Sequence, residues 1–231
     1  MKRNDGRKHD EMRKVEGKVG IIKRADGSAY FRIGDTIAIA AVHGPRELHP
    51  KFLQNPERGI LRCNYDLMSF SVPERKRPGP SRRSTEISMV TKQSLLPVLD
   101  LEQFPNAVVD VFIQIVQANA GTRCAGITAA SMALAHAGIP MSDLVSAVAV
   151  GKINGDVVID IDKYEEDTDN ATDIPIAITG RSKEITLLQL DGEVSKDELM
   201  KGIELAKNGC DKIFEVQRKA LIDFIKEKKN E

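Results

Sequence analysis

The sequence predicts an α+β fold in which mixed β-sheets pack against helices. Three observations carry that expectation. β-Branched runs alternate with turn dipeptides through the N-terminal half, and three helical stretches interrupt the strands without regular βαβ alternation. No internal repeat or low-complexity linker divides the chain, so one domain over 1–231 is expected. The first strands are KVGIIKR (18–24), SAYFRI (28–33) and TIAIAAV (36–42), joined by turns at Asp26-Gly27 and Gly34-Asp35. In LRCNYDLMSF (61–70), Leu61, Cys63, Tyr65 and Leu67 alternate with polar residues, the period of a half-buried strand. VVDVFIQIVQA (108–118) is β-branched and long enough for a central strand. Asn154-Gly155 is a strong type I′ hairpin signal, and a last hairpin is expected at Gly180 to Glu184. A helix is expected from Ser84, a candidate N-cap, to about Gln103. A second runs from Thr122 to Ala137 and stops at Gly138 and Pro140. A third, from Lys196 to about Lys226, carries one apolar stripe and belongs to the same domain.

Composition narrows the class. The 231 residues are 41% hydrophobic and 29% charged, which excludes a disordered or fibrous chain. No apolar run approaches the ~20 residues of a spanning helix, so no membrane partner is expected. The first fifteen residues are charged throughout and make no signal peptide. Cys63, Cys124 and Cys210 lie far apart and form no CxxC pair, as expected of reduced thiols in a cytoplasmic protein. Thirty-four cations balance thirty-four anions, so any preference for nucleic acid must come from how charge is distributed.

That distribution is uneven. Residues 74–83 (ERKRPGPSRR) hold five cations against one acid, and residues 156–173 hold eight acids against one Lys. Such runs are usually solvated faces, but they could equally be the two sides of one site. Three stretches bear on the choice. In NAGTRCAGITAAS (119–131), a strand enters an Ala-rich helix through Gly121, Thr122 and Arg123: helix amides, a hydroxyl and a guanidinium able to cradle phosphate. The alternative is a tight turn capped by Thr122. In SRRSTEIS (81–88), Arg82 and Arg83 precede a helix start, where cations oppose the macrodipole unless an anion compensates them. The alternative is a basic loop. In EEDTDNATDIPIAI (165–178), Asp167, Asp169 and Asp173 crowd a strand entrance and could hold Mg²⁺ or keep a proton for a leaving group. The alternative is a solvated acidic loop.

Taken together, these residues resemble the RNase PH family, most closely the form found as the catalytic subunit of the archaeal exosome. The matching motifs are RNDGRKHDEMR (3–13), GPRELHPK (44–51), PERKRPGPSRRSTEIS (73–88), NAGTRCAGITAASMALAHAGIPM (119–141) and EEDTDNATDIPIAI (165–178). The resemblance implies an RNase PH-type fold and phosphorolytic 3′→5′ degradation of single-stranded RNA, with inorganic phosphate as co-substrate and Mg²⁺ expected. It implies phosphate binding by Arg83, Gly121, Thr122 and Arg123, and an RNA-backbone contact by Arg82. Asp167 and Asp173 match the family's two catalytic aspartates, with Asp167 as proton donor or metal holder. Cys124 stands where an aliphatic residue is common, and Asp169 is an additional carboxylate. The implied partners are an inactive paralogue in a hexameric ring (a trimer of heterodimers) and RNA-binding cap subunits. In such a ring, Arg46, Lys51 and Arg58 fall in the loop that lines the narrow RNA entrance. Two other readings fit the same resemblance: a non-catalytic scaffold subunit, and a bacterial-type homohexamer trimming tRNA 3′ ends.

Overall fold

A computed structural model describes residues 3–74, 76–168 and 171–230. The first sheet contains β1 (Val15–Val19), β2 (Gly27–Ile33), β3 (Thr36–Glu47), β4 (Ile60–Leu67) and β5 (Ala107–Gln117), in the order β1-β2-β3-β5-β4. Only β4 and β5 run parallel, so the sheet is mixed, as expected. The second sheet is antiparallel, in the order β7-β6-β8-β9, from β6 (Val145–Ile153), β7 (Asp156–Ile159), β8 (Thr172–Thr179) and β9 (Ile185–Leu188). The helices are α1 (Arg82–Leu95), α2 (Thr122–His136), the single turn α3 (Lys163–Glu166) and α4 (Lys196–Asn230).

α2 holds the molecule together. It touches β2, β3 and β5 of one sheet and β6 and β8 of the other, and every residue from Cys124 to Leu134 is buried. A helix covered on all sides needs no polar stripe, which accounts for the run of Ala, Gly, Ile and Met. Small residues also allow close approach: a Cβ on Gly27 would lie 2.3 Å from the Ala133 carbonyl oxygen. α1 lies over β4 and reaches α2 and β9, while α4 covers β6, β7, β8 and β1. Both helix starts, α1 and α2, therefore sit at the end of the sheet where β4 and β5 finish.

Several boundaries differ from the sequence-based expectation. The first strand covers 15–19 rather than 18–24, because Gly20 turns the chain at φ +74° and returns its N–H to the Ser28 carbonyl. α1 is capped by Ser81, not Ser84. Ser84 is its N3 residue and completes a reciprocal capping box. The helix ends at Leu95 rather than near Gln103, since Pro97 closes it into a 3₁₀ turn (Leu96–Val98). The acidic run 156–173 is not one solvated loop. It is divided among β7, α3 and β8, and Asp160, Asp162 and Glu165 within it are buried.

Those buried acids explain the N-terminal basic motif. Arg3 meets Glu165 through two hydrogen bonds of 2.7 Å and also donates to the Ile159 and Asp160 carbonyls. Arg13 grips Asp160 at 2.6 and 2.9 Å. The segment 3–13 thus straps α3 and the end of β7 in place.

Candidate active site

The site begins where β5 turns into α2. The Thr36 hydroxyl donates to the Ala120 carbonyl at 2.7 Å and accepts from the Asn119 N–H at 2.9 Å. Arg13 Nη1 donates to the Asn119 carbonyl at 2.5 Å. Held on both sides, Ala120 and Gly121 take left-handed conformations, with φ of 55° and 64°. For Ala120 this conformation costs about 1–2 kcal/mol, strain of the kind that collects at functional sites. The turn delivers the first turn of α2 with Gly121 as N-cap, so no side-chain oxygen caps its amides.

Neither α1 nor α2 has an acidic residue in its first turn, although both helix starts carry arginine. Arg82 and Arg83 are the first two residues of α1, both exposed, and Arg123 is the second residue of α2. Two positive helix ends bearing cations are unfavourable on their own and become favourable around an anion. Arg83 and Arg123 both act electrostatically on Tyr65 and on Asp173, so the two helix starts face one place. Arg123 is oriented by Gln189, to whose Oε1 it donates, and lies 3.7 Å from Glu86 Oε1. Gln189 in turn donates to Glu86 at 3.0 Å.

Asp173 enters from the second sheet. Its backbone pairs with Asp191 through hydrogen bonds of 2.9 Å in each direction. The carboxyl is pushed up to about 6, first by burial and then by Glu166 and Asp191, with Arg123 and Arg83 opposing. Its Oδ1 is sealed from solvent and has no hydrogen-bond partner. Asp167 caps the C-terminal end of α3 with an exposed side chain, and Lys163 Nζ holds its carboxylate at 2.5 Å. Asp169 lies outside the described residues. Cys124 is buried and burial pushes its thiol far up, so it serves the core as a small apolar group.

The structure therefore gathers Arg83, Gly121, Thr122, Arg123 and Asp173, with Arg82 at the rim and Asp167 on the adjoining helix. It does not bring Arg46, Lys51 or Arg58 to them. Arg46 pairs with Val108 at the start of β5, whereas Ile37 pairs with Gln117 beside the site turn. Nine strand residues at ~3.3 Å each separate the two ends by about 30 Å. At the far end, Arg46 and Arg62 share Asp110 through contacts of 2.6 Å each. Burial alone would raise that carboxyl, but the two arginines hold it below its ordinary range. Lys51 is exposed, 3.9 Å from Glu47, and Arg58 lines a cavity of about 420 Å³.

Sequence reading missed Tyr65, Glu86, Gln189, Glu166 and Arg13. Glu86 stands one turn after Arg82 and was within reach of helical spacing. Glu166 stands beside Asp167 in the acidic motif, whereas Tyr65, Gln189 and Arg13 reach the site only through sheet pairing and the N-terminal strap, which leave no local signal.

Arginines and free helix amides gathered beside a buried carboxyl make a site suited to an anion. Comparison with known families specifies which kind of protein carries it. The chain belongs to the RNase PH family of 3′ exoribonucleases, whose domain 1 matches residues 11–140 and domain 2 residues 143–209. The chain is 55% identical over 220 residues to the exosome complex component Rrp41 of Pyrococcus abyssi, covering 95% of this chain and 88% of the relative. The protein of the same name from Methanopyrus kandleri is 51% identical, covering 95% and 91%. Among solved structures, rice (Oryza sativa) Rrp46 superposes with a TM-score of 0.84 at 26% identity, covering 95% of this chain and 99% of that one. A chain of the Archaeoglobus fulgidus exosome, solved with RNA bound to the active site, shares the fold with a TM-score of 0.82 at 24% identity, covering 93% and 92%.

Proposed function

We propose that this chain is the catalytic, phosphorolytic subunit of an archaeal-type exosome. The observation that carries the reading is the convergence of Arg83, Thr122 and Arg123, at two helix starts free of acids, on one place beside Asp173. In the reaction, an oxygen of inorganic phosphate attacks the phosphorus of the last phosphodiester. The bond to the 3′ oxygen of the preceding nucleotide breaks. A nucleoside 5′-diphosphate leaves, and the RNA is one residue shorter with a free 3′ hydroxyl.

Such a transfer needs positioning and charge neutralisation more than covalent help. Arg83, Arg123, the Thr122 hydroxyl and the α2 amides hold the attacking phosphate, and Arg82 grips the adjacent RNA backbone. Asp173, with its carboxyl raised to about 6, keeps enough protonated form near neutrality to donate to the departing 3′ oxygen. Among the described residues no three ligating side chains converge into a ready metal cluster. Mg²⁺ usually takes one or two carboxylates and completes its shell with substrate phosphate oxygens and water. The exposed carboxylate of Asp167 would hold it, leaving the protonatable Asp173 to serve the leaving group. Bound there, Mg²⁺ would supply Lewis-acid neutralisation of the transferring phosphoryl group.

Relatives named as exosome components support a ring assembly on RNA. We extend this to an inactive paralogue alternating with this chain, and to RNA-binding caps. No helix among the described residues is long and apolar enough to cross a membrane, and we place the protein in the cytoplasm. The test incubates 5′-labelled single-stranded RNA with Mg²⁺, with and without phosphate. Shortening should require phosphate, and Asp167→Asn should lose more than nine-tenths of turnover while RNA binding persists. Shortening that proceeds without phosphate contradicts the reading.

A further inference from the structure

Tyr65 is a buried polar group that the reaction just described does not use. It lies on β4 with 3% of its surface exposed, and its backbone N–H is fixed to the Ser88 hydroxyl of α1 at 2.9 Å. Its ring lies against Gly126 of α2, where a Cβ would come within 3.3 Å of Tyr65 Cε2. Gly126 is one helical turn beyond Thr122, so Tyr65 packs on α2 within a turn of the proposed phosphate cradle. The hydroxyl at its tip is sealed from solvent and forms no bond of full hydrogen-bond geometry, with the Thr122 hydroxyl close enough to act as an incipient partner. Thr122 faces it, and Arg83 and Arg123 both act on it.

A buried hydroxyl without a partner costs about 1–3 kcal/mol. Phenylalanine would fill the same space without that cost. A hydroxyl kept at such a position makes sense where a ligand completes its bonding. We infer that Tyr65 is a positioning residue of the phosphate cradle, whose hydroxyl donates to Thr122 Oγ1 when phosphate binds. Thr122 Oγ1 then accepts from Tyr65 and points its own hydrogen at a phosphate oxygen. The two bonds polarise one another in the same sense. Burial pushes the phenol up to about 12, so it remains a neutral donor at any working pH.

The inference rests on the phosphorolytic reading, and its test separates the two. The full chain, in its active assembly, is titrated with inorganic phosphate while the melting temperature is followed, for wild type, Tyr65→Phe, Thr122→Val, the double variant and Arg123→Ala. Tyr65→Phe should need ~5-fold more phosphate to reach the same rise in melting temperature. RNA half-saturation should change less than about twofold, and the unliganded melting temperature should not fall. The double variant should need little more phosphate than Thr122→Val alone, because Tyr65 acts through Thr122.

Wild-type phosphate dependence in Tyr65→Phe, alongside a weakened Arg123→Ala, overturns the inference and leaves the phosphorolytic reading standing. A clear fall in the unliganded melting temperature of Tyr65→Phe assigns the hydroxyl to the fold and overturns it as well. No response to phosphate in wild type overturns both.

Discussion

At the scale of single residues, Asp173 sets function against stability. Its carboxyl has a folded pKa of about 6 against an ordinary 3.8, so the folded state binds more protons than the unfolded state between those values. Stability is therefore lost as pH rises from about 4 to about 6. At neutral pH the cost is at most about 3 kcal/mol, from roughly two pKa units at 1.36 kcal/mol each. Asp173→Asn removes the titration, so urea denaturation at pH 7 should show it to be more stable than wild type. The gap should close as the pH approaches 4, and phosphorolysis should be abolished throughout. An Asn variant less stable than wild type at pH 7 would contradict this account of the buried carboxyl. Asp173 was readable from the sequence as an acid before an apolar strand, but its environment was not. Glu166 and Asp191, which push its pKa up, come from α3 and from the segment after β9.

At the scale of elements, the proposed chemistry rests mainly on the two helix starts. Removing Arg123 takes away a charge-assisted contact worth roughly 1.5–3 kcal/mol. Steady-state kinetics of Arg123→Ala should show the phosphate KM rising ~10-fold or more, with a smaller change in the RNA KM. If only RNA affinity falls, the cradle has been assigned to the wrong ligand. α2 was legible almost to the residue, because a glycine turn opens it and Gly138 and Pro140 close it. α1 was less so. Ser81 and Ser84 both suit an N-cap, and the capping box that unites them depends on the direction from which the chain enters. α3 was not foreseen: four residues carry no periodicity, and its one local signal, the Asp162/Glu165 capping box, lies inside an acidic run that reads as a loop. That strap gives the third prediction. Arg3→Ala leaves the buried Glu165 with only the Asp162 N–H and Arg7 at 3.9 Å and should cost up to about 3–5 kcal/mol in thermal unfolding. Turnover should fall as well, since α3 presents Asp167. A melting temperature unchanged from wild type would show that the Arg3–Glu165 pair adds nothing to the fold.

At the scale of the whole molecule, the chain carries no net charge, so alone it has little long-range pull on RNA. Arg46 stands about 30 Å from the turn into α2, nine strand residues away at ~3.3 Å each, too far to touch a nucleotide at the proposed site, and Lys51 and Arg58 follow it in the loop before β4. A ring that brings these loops around one entrance gives them a use. The chain alone should therefore be weak, and adding an RNase PH-like paralogue should restore turnover. Lys51→Glu should weaken capture of long RNA and leave phosphate affinity intact. A lone monomer fully active at nanomolar concentration contradicts the ring requirement. An α+β fold of β-sheets packed with helices was legible from strand alternation and hairpin signals, but its division into a mixed five-stranded and an antiparallel four-stranded sheet was not. The long-range ties from Arg3 to Glu165 and from Arg13 to Asp160 were not, because ion pairs between such distant residues leave no pattern in the chain.

The central claim is that the cradle at the starts of α1 and α2 holds the attacking phosphate beside Asp173. It is tested most directly by following the attacking phosphate itself. Radiolabelled inorganic phosphate, unlabelled single-stranded RNA and Mg²⁺ are incubated with the assembled protein, and the released nucleotides are separated. The label should appear as the β-phosphate of nucleoside 5′-diphosphates, and should be lost in Arg123→Ala at low phosphate and in Asp173→Asn at any concentration. Release of unlabelled nucleoside monophosphates would show that water is the nucleophile, and would contradict the account.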